Sequence, residues 1–155
     1  MRTMRMPEFR SKLLSLPFIM SATIAFAISH PWTPIQELVH GSSVVVVGKV
    51  LNVSPSPFVG THWKEPFVIA TVKVIEPVFG ARGGKILKIL TVDESNNWKR
   101  PTDKHFNYVK AGEPYLFFLK EFDEDKKYLI PVQDGVRNAE RTVVVEAKKE
   151  ANKKK

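Results

Sequence analysis

No cysteine occurs among the 155 residues. That absence excludes disulfide staples, thiolate metal sites and cysteine nucleophiles, and it removes the sulfur to which a bacterial lipoprotein attaches its lipid. A core must therefore hold the fold alone. The chain also lacks a transmembrane-length apolar run: the uncharged, apolar-rich segment LLSLPFIMSATIAFA is 15 residues long and is interrupted by Pro17, short of the roughly 20 that a spanning helix needs. No His-x-x-x-His pair unites His30, His40, His62 and His105, and no Gly-x-Ser-x-Gly elbow surrounds a serine. The segment GARGGK at 80–85 places three residues instead of four between its glycines, is followed by Ile86 and opens a strand, so it reads as a turn and not a phosphate loop. With no internal repeat and no motif for a cofactor, metal or nucleophile, the chain reads as non-catalytic.

What is present begins with an address. MRTMRMPEFRSK is basic, the uncharged run follows, and Ala25-Phe26-Ala27 offers small residues where a signal peptidase reads; residues 1–27 are expected to be a cleaved secretory signal, with a mature chain starting near Ile28 and an exported, periplasmic or extracellular destination. The remainder is enough for one domain, 28–147, ending in a basic tail, 148–155.

The net charge of +8 divides unevenly. Residues 1–27 carry +3, the tail carries +4 through Lys148, Lys149, Lys153, Lys154 and Lys155 against Glu150, and the body carries only +1. A phosphate-tracking groove requires cations gathered on one folded face, so no specific nucleic acid is expected; the tail is instead a candidate for weak contact with an anionic surface, or a solvated end.

The fold expectation is all-β. SHPWTPIQELVHGSS reads as a short helix with Thr33 as cap, Pro34 at its first position, Gly41 at its end and Ile35, Leu38 and Val39 as its apolar stripe, lying as a lid over one end of a sheet. Strands follow at 43–53, with Gly48 marking a bulge, at 66–78, where Val68, Ala70, Val72 and Val74 share a face, at 84–93, at 114–122, in KYLIPV, and finally in RTVVVEA. In PYLFFLKEF, Tyr115, Phe117 and Leu119 point one way and Leu116, Phe118 and Lys120 the other, both faces mostly apolar; such a strand lies centrally, with the barrel interior on one side and a helix or loop on the other. Five to six strands and one helix point to a small OB-like barrel or a sandwich.

Three segments in order, SSVVVVGKVLNV, ATVKVIEPVFGARGGKILKIL and YVKAGEPYLFFLKEF, resemble exported bacterial domains of the netrin-like and tissue-inhibitor-of-metalloprotease group, which have an OB-type barrel. The resemblance covers roughly Ser43 to Phe122 and rests on Val46-Val47-Gly48, on Val72 to Gly80 and on Gly112 to Leu119. It implies the barrel fold. It does not carry over the inhibitors' mechanism, which places an N-terminal cysteine on a protease zinc.

Two loops, 54–65 and 94–112, embed aromatic and basic side chains and supply the candidate binding residues: Phe58, His62, Trp63 and Lys64 in the first, and Trp98, Lys99, Arg100, His105 and Tyr108 in the second. These are either stacking platforms for a ligand or plugs of the barrel ends. The expected function is an exported binding domain for a protein or envelope component. The alternative is an inhibitor of an exported protease, with the loop SPSPFVGTHWKE, 54–65, as its exposed insertion element and residues 55–58 as the part whose replacement should abolish inhibition.

Overall fold

The computed structural model describes residues 32–59, 66–93 and 108–154. They form helix α1 (Ile35–Gly41), strands β1 (Val44–Val59), β2 (Pro66–Phe79), β3 (Ile86–Asp93), β4 (Tyr108–Val109), β5 (Pro114–Glu121) and β6 (Leu129–Asn138), and helix α2 (Arg141–Lys153). The sheet order is β2-β1-β5-β6-β3-β4, and β2 also pairs with β3, so that β1, β2, β3, β6 and β5 close in a ring with the short β4 alongside β3. All ring contacts are antiparallel except β3–β6, which is parallel and joined at Ile89↔Leu129.

The period of two on each strand sets the inside of the ring. Val46 and Val50 of β1, Ala70, Val72 and Val74 of β2, Leu87 and Ile89 of β3, and Phe117 and Leu119 of β5 make one buried cluster, with Tyr115 packed against it. Gly48 sits at a register shift of β1 against β2, the expected bulge, and a Cβ there would run into Val72 Cγ1.

β5 is apolar on both faces and is covered on both. Leu116 and Phe118 join Val45 and Val47 of β1 in a second buried cluster outside the ring, completed by Leu38 and Val39 of α1 and by Val144, Ala147 and Ala151 of α2. The reading of PYLFFLKEF as a strand between two apolar layers therefore holds. The position expected for the first helix does not: α1 lies against the outer face of β5 and β6 and against α2, since the apolar surface it must cover is that outer face.

Three further expectations are corrected. RTVVVEA is the start of α2 and not a strand. Four consecutive β-branched residues, Thr142 to Val145, mimic a strand locally, but Val144, Ala147 and Ala151 recur at helical spacing and are buried, while Val145 is 57% exposed; the tertiary surface rewards the helical period. The lysine-rich segment thus belongs largely to a helix, which runs to Lys153. Second, the loop expected at 54–65 begins as strand, because β1 continues to Val59 along β2. Pro55 and Pro57 are tolerated there because, among the described residues, β1 beyond Lys49 has β2 as its only strand neighbour; two positions apart, they turn their missing N–H groups to the same side. Third, Thr33 does not cap α1: the N-cap is Pro34, without a side-chain cap bond, and Thr33 bonds elsewhere.

Among the described residues no helix is long and apolar enough to cross a membrane.

Candidate functional site

β6 crosses β5 through a wide bulge. Phe117 faces Val136 and Leu119 faces Pro131, so the four residues from Val132 to Gly135 stand opposite Phe118. The Asp134-Gly135 pair makes this possible. Asp134 takes φ 57°, a left-handed conformation that aspartate tolerates better than most side chains. A Cβ on Gly135 would lie 2.6 Å from the carbonyl oxygens of Phe118 and Val132.

The bulge aims the buried Asp134 carboxylate at the segment ahead of α1. Its Oδ2 accepts a hydrogen bond from the Thr33 hydroxyl at 2.7 Å and one from the Thr33 backbone N–H at 3.2 Å. Arg137, three residues on, donates from Nη2 to the Thr33 carbonyl at 2.9 Å and lies 4.1 Å from the centre of the Trp32 ring. Burial pushes the Arg137 guanidinium below its ordinary pKa, while the Asp134 carboxylate opposes that shift. An arginine stays charged throughout the physiological range, so the burial is a standing cost that Asp134 and the indole face offset. The Nη2 bond and the indole contact tie this side chain to the segment ahead of α1, while its Nε is buried without a hydrogen-bond partner among the described residues.

These bonds fix Trp32 and Thr33 beside β6, where they line, with the start of α2, a cleft of about 550 Å³. Trp32, Pro34, Ile35, Val136 and Val143 give it apolar walls, and Glu140 and Glu146 bring carboxylates from the start of α2. Both glutamates are exposed, and neither has an ion-pair partner among the described residues. Trp32 is 56% exposed although its ring meets Arg137. The Thr33 hydroxyl in the cleft wall is already committed to the Asp134 carboxylate, and the described residues contain no group of three or more potential metal ligands. What it can do chemically is enclose an apolar side chain and attract a cation beside it.

Of the residues expected from the sequence, two are described in the loop regions. Phe58 is half-buried near the end of β1, with its ring edge-to-face against Phe122 at 5.1 Å and Tyr128 at 5.7 Å; Phe67 extends the group through Phe122. Phe58 thus packs within an aromatic group of its own at this end of β1. Tyr108 is half-buried on β4, parallel to β3. His62, Trp63, Lys64, Trp98, Lys99, Arg100 and His105 lie outside the described residues.

The basic segment is mostly committed to intramolecular contacts. Lys148 pairs with Glu76 of β2, and Lys153 with Glu150 at 2.7 Å. Lys154 Nζ donates to the carbonyl oxygens of Val39, His40 and Ser42 at 3.2, 3.2 and 2.6 Å, closing the C-terminal end of α1, and lies 5.0 Å over the Phe79 ring. Lys149 is exposed, and Lys155 lies outside the described residues.

Sequence reasoning missed Trp32, Asp134, Arg137 and the two glutamates. The one available signal was Asp134-Gly135 inside an otherwise extended segment, which marks a sharp backbone feature; nothing local connects it to Thr33, 101 positions away. Comparison with family models finds none that matches this chain, and comparison with curated proteins finds no match.

Proposed function

We propose that the protein is an exported, non-catalytic binding domain of OB-like architecture whose partner site is the cleft between Trp32–Ile35, β6 and α2. Five strands closing in a ring at a narrow parallel seam support the OB-like reading. It agrees with the fold implied by the resemblance to netrin-like domains. The observation that carries the binding role is the cleft itself: apolar walls, a half-exposed indole and two carboxylates without an ion-pair partner among the described residues, beside a partly buried Asp-Thr-Arg network. The ligand that fits is a peptide segment of a partner protein presenting an apolar side chain next to a lysine or arginine. Its apolar group would fill the space between Trp32 and Val143, while its cation would face Glu140 and Glu146.

The inhibitor alternative gains no observation of its own: the first part of its loop 54–65, up to Val59, belongs to β1, and residues 60–65 lie outside the described residues. A photo-crosslinking side chain in place of Val143, in chain expressed by its own producing cells, tests the binding role. A discrete adduct with a protein partner, lost on Trp32→Ala and on Glu140→Lys with Glu146→Lys, is the expected result. No adduct, or one indifferent to these changes, sinks the reading.

A further inference from the structure

A second surface, distant in sequence from the cleft, carries a different chemistry. The near-neutral body of the chain folds so that its charges separate. No aspartate or glutamate occurs between Val47 and Val59, between Phe67 and Ile75, or between Pro77 and Val92, whereas Lys49, Lys73, Arg82, Lys85 and Lys88 all fall in those segments. These are the three consecutive ring strands β1, β2 and β3 with the β2–β3 turn, and all five cations are exposed.

Register gathers the strand lysines on one outer face. Lys49 stands directly opposite Lys73, Lys73 opposite Ile86, and Lys88 opposite Thr71. Buried Val50, Val72 and Leu87 alternate with them and point into the ring, so the lysines point outward. Two like charges directly opposed across a strand pair destabilise a sheet, and no side-chain partner relieves them among the described residues. On β2 itself Glu76 is already paired with Lys148, and Glu113 precedes Pro114, the register partner of Lys49. Between the cations stand Leu51, Ile75 and Ile86, each about half exposed, which are three of the six large apolar side chains most open to solvent.

We infer that this face of β1–β2–β3 docks on an anionic phospholipid bilayer. Lysines are point charges that suit a laterally mobile array of headgroups and lack the planar fork that fits a fixed phosphate or carboxylate. Interleaved aliphatic side chains can enter the headgroup boundary, where a rigid hydrophilic polymer would leave them unburied. Among the described residues the lysine face offers no aromatic platform on which bases could stack. A solvated face would satisfy the lysines alone; it leaves Leu51, Ile75 and Ile86 in water beside one another. The surface also takes over the anionic contact that the sequence assigned to the lysines of 148–155, of which Lys148, Lys153 and Lys154 are bound within the chain.

The lack of cysteine makes the test clean, because one introduced thiol can be labelled uniquely in the full chain. An environment-sensitive fluorophore at Ile86→Cys should shift to the blue on phosphatidylcholine vesicles containing phosphatidylglycerol and stay unchanged on phosphatidylcholine alone, whereas the same label at Val145→Cys on α2 should not move. Replacing Lys49, Lys73 and Lys88 with Gln should weaken the Ile86 response about a hundredfold in lipid concentration, and Lys149→Gln should not. A shift at Val145 without one at Ile86 overturns the proposal, as does a triple variant that responds like the parent. Binding to polyphosphate that the triple variant loses, with no shift on either vesicle, also overturns it by making the ligand a polymer.

Discussion

The outer surface of β1 has two halves that behave oppositely. Val45 and Val47 point outward and are buried under α1 and α2, while Lys49, on the same face two residues beyond Val47, is open to solvent. The sequence changes in step: a run of four valines becomes Gly-Lys-Val-Leu-Asn. The first half reads as apolar on both faces because it has a layer on each side, and the second alternates because only the ring interior covers it. The helices thus stop where the outward side chains become polar, and the bare half is the surface left for contact with something else.

The comparison breaks most severely if the covered half tolerates truncation. Phe118, fully buried beneath the helices, should cost about 4 kcal/mol on Phe118→Ala, measured by chemical denaturation, because the helices cannot close the void. Lys88→Ala on the bare half should stay within about 0.5 kcal/mol. Equal effects would mean that the helices are not part of the folded core.

Next in size is the bulge that connects the covered layer to the cleft. Asp134→Ala removes two hydrogen bonds and the charge facing Arg137, and it places alanine in a left-handed backbone position; about 3 kcal/mol should be lost. Asp134→Asn keeps the conformational tolerance and one acceptor, so it should lose less. If the two variants lose the same amount, the charge does not contribute to the Arg137 tether.

Lys154→Met follows, with an expected loss of about 1.5 kcal/mol, since three carbonyl oxygens at the end of α1 lose their common donor. Lys149→Met on the same helix should change nothing measurable. This contrast replaces the sequence expectation of a uniform, solvated lysine tail: composition gives the number of lysines, whereas their partners depend on which helix face packs against α1.

The same distinction explains what was legible. The two-faced strand Pro114–Glu121 could be read from alternation, because each of its faces is declared by its own residues. The inward set of β2 was legible for the same reason. α2 was not, because Thr142 to Val145 carry strand propensity and the helical stripe depends on the outer surface of β1 and β5 being there to cover. The cleft was less legible still: Thr33, Asp134 and Arg137 are ordinary residues until a bulge opposite Phe118 brings them together. Of the loop aromatics expected to bind, the two described are half-buried: Phe58 packs against Phe122 and Tyr128, and Tyr108 lies on β4.

The smallest expected effect tests the bare half directly. Lys49 and Lys73 face one another across β1 and β2, and reversing one charge turns a repulsive cross-strand pair into an attractive one. Lys73→Glu should therefore stabilise the domain by about 0.5 kcal/mol at low ionic strength, and the gain should shrink as salt screens the exposed pair. Adding Lys49→Glu should restore a like-charge pair and cancel the gain, so the double-mutant cycle isolates the interaction from any change in strand propensity. The stabilised Lys73→Glu variant should bind anionic vesicles less well than the parent, because the charge that disfavours the isolated fold is the one the bilayer attracts. If Lys73→Glu lowers the denaturation midpoint and leaves vesicle binding unchanged, the two lysines do not oppose each other and the bare half is no docking face.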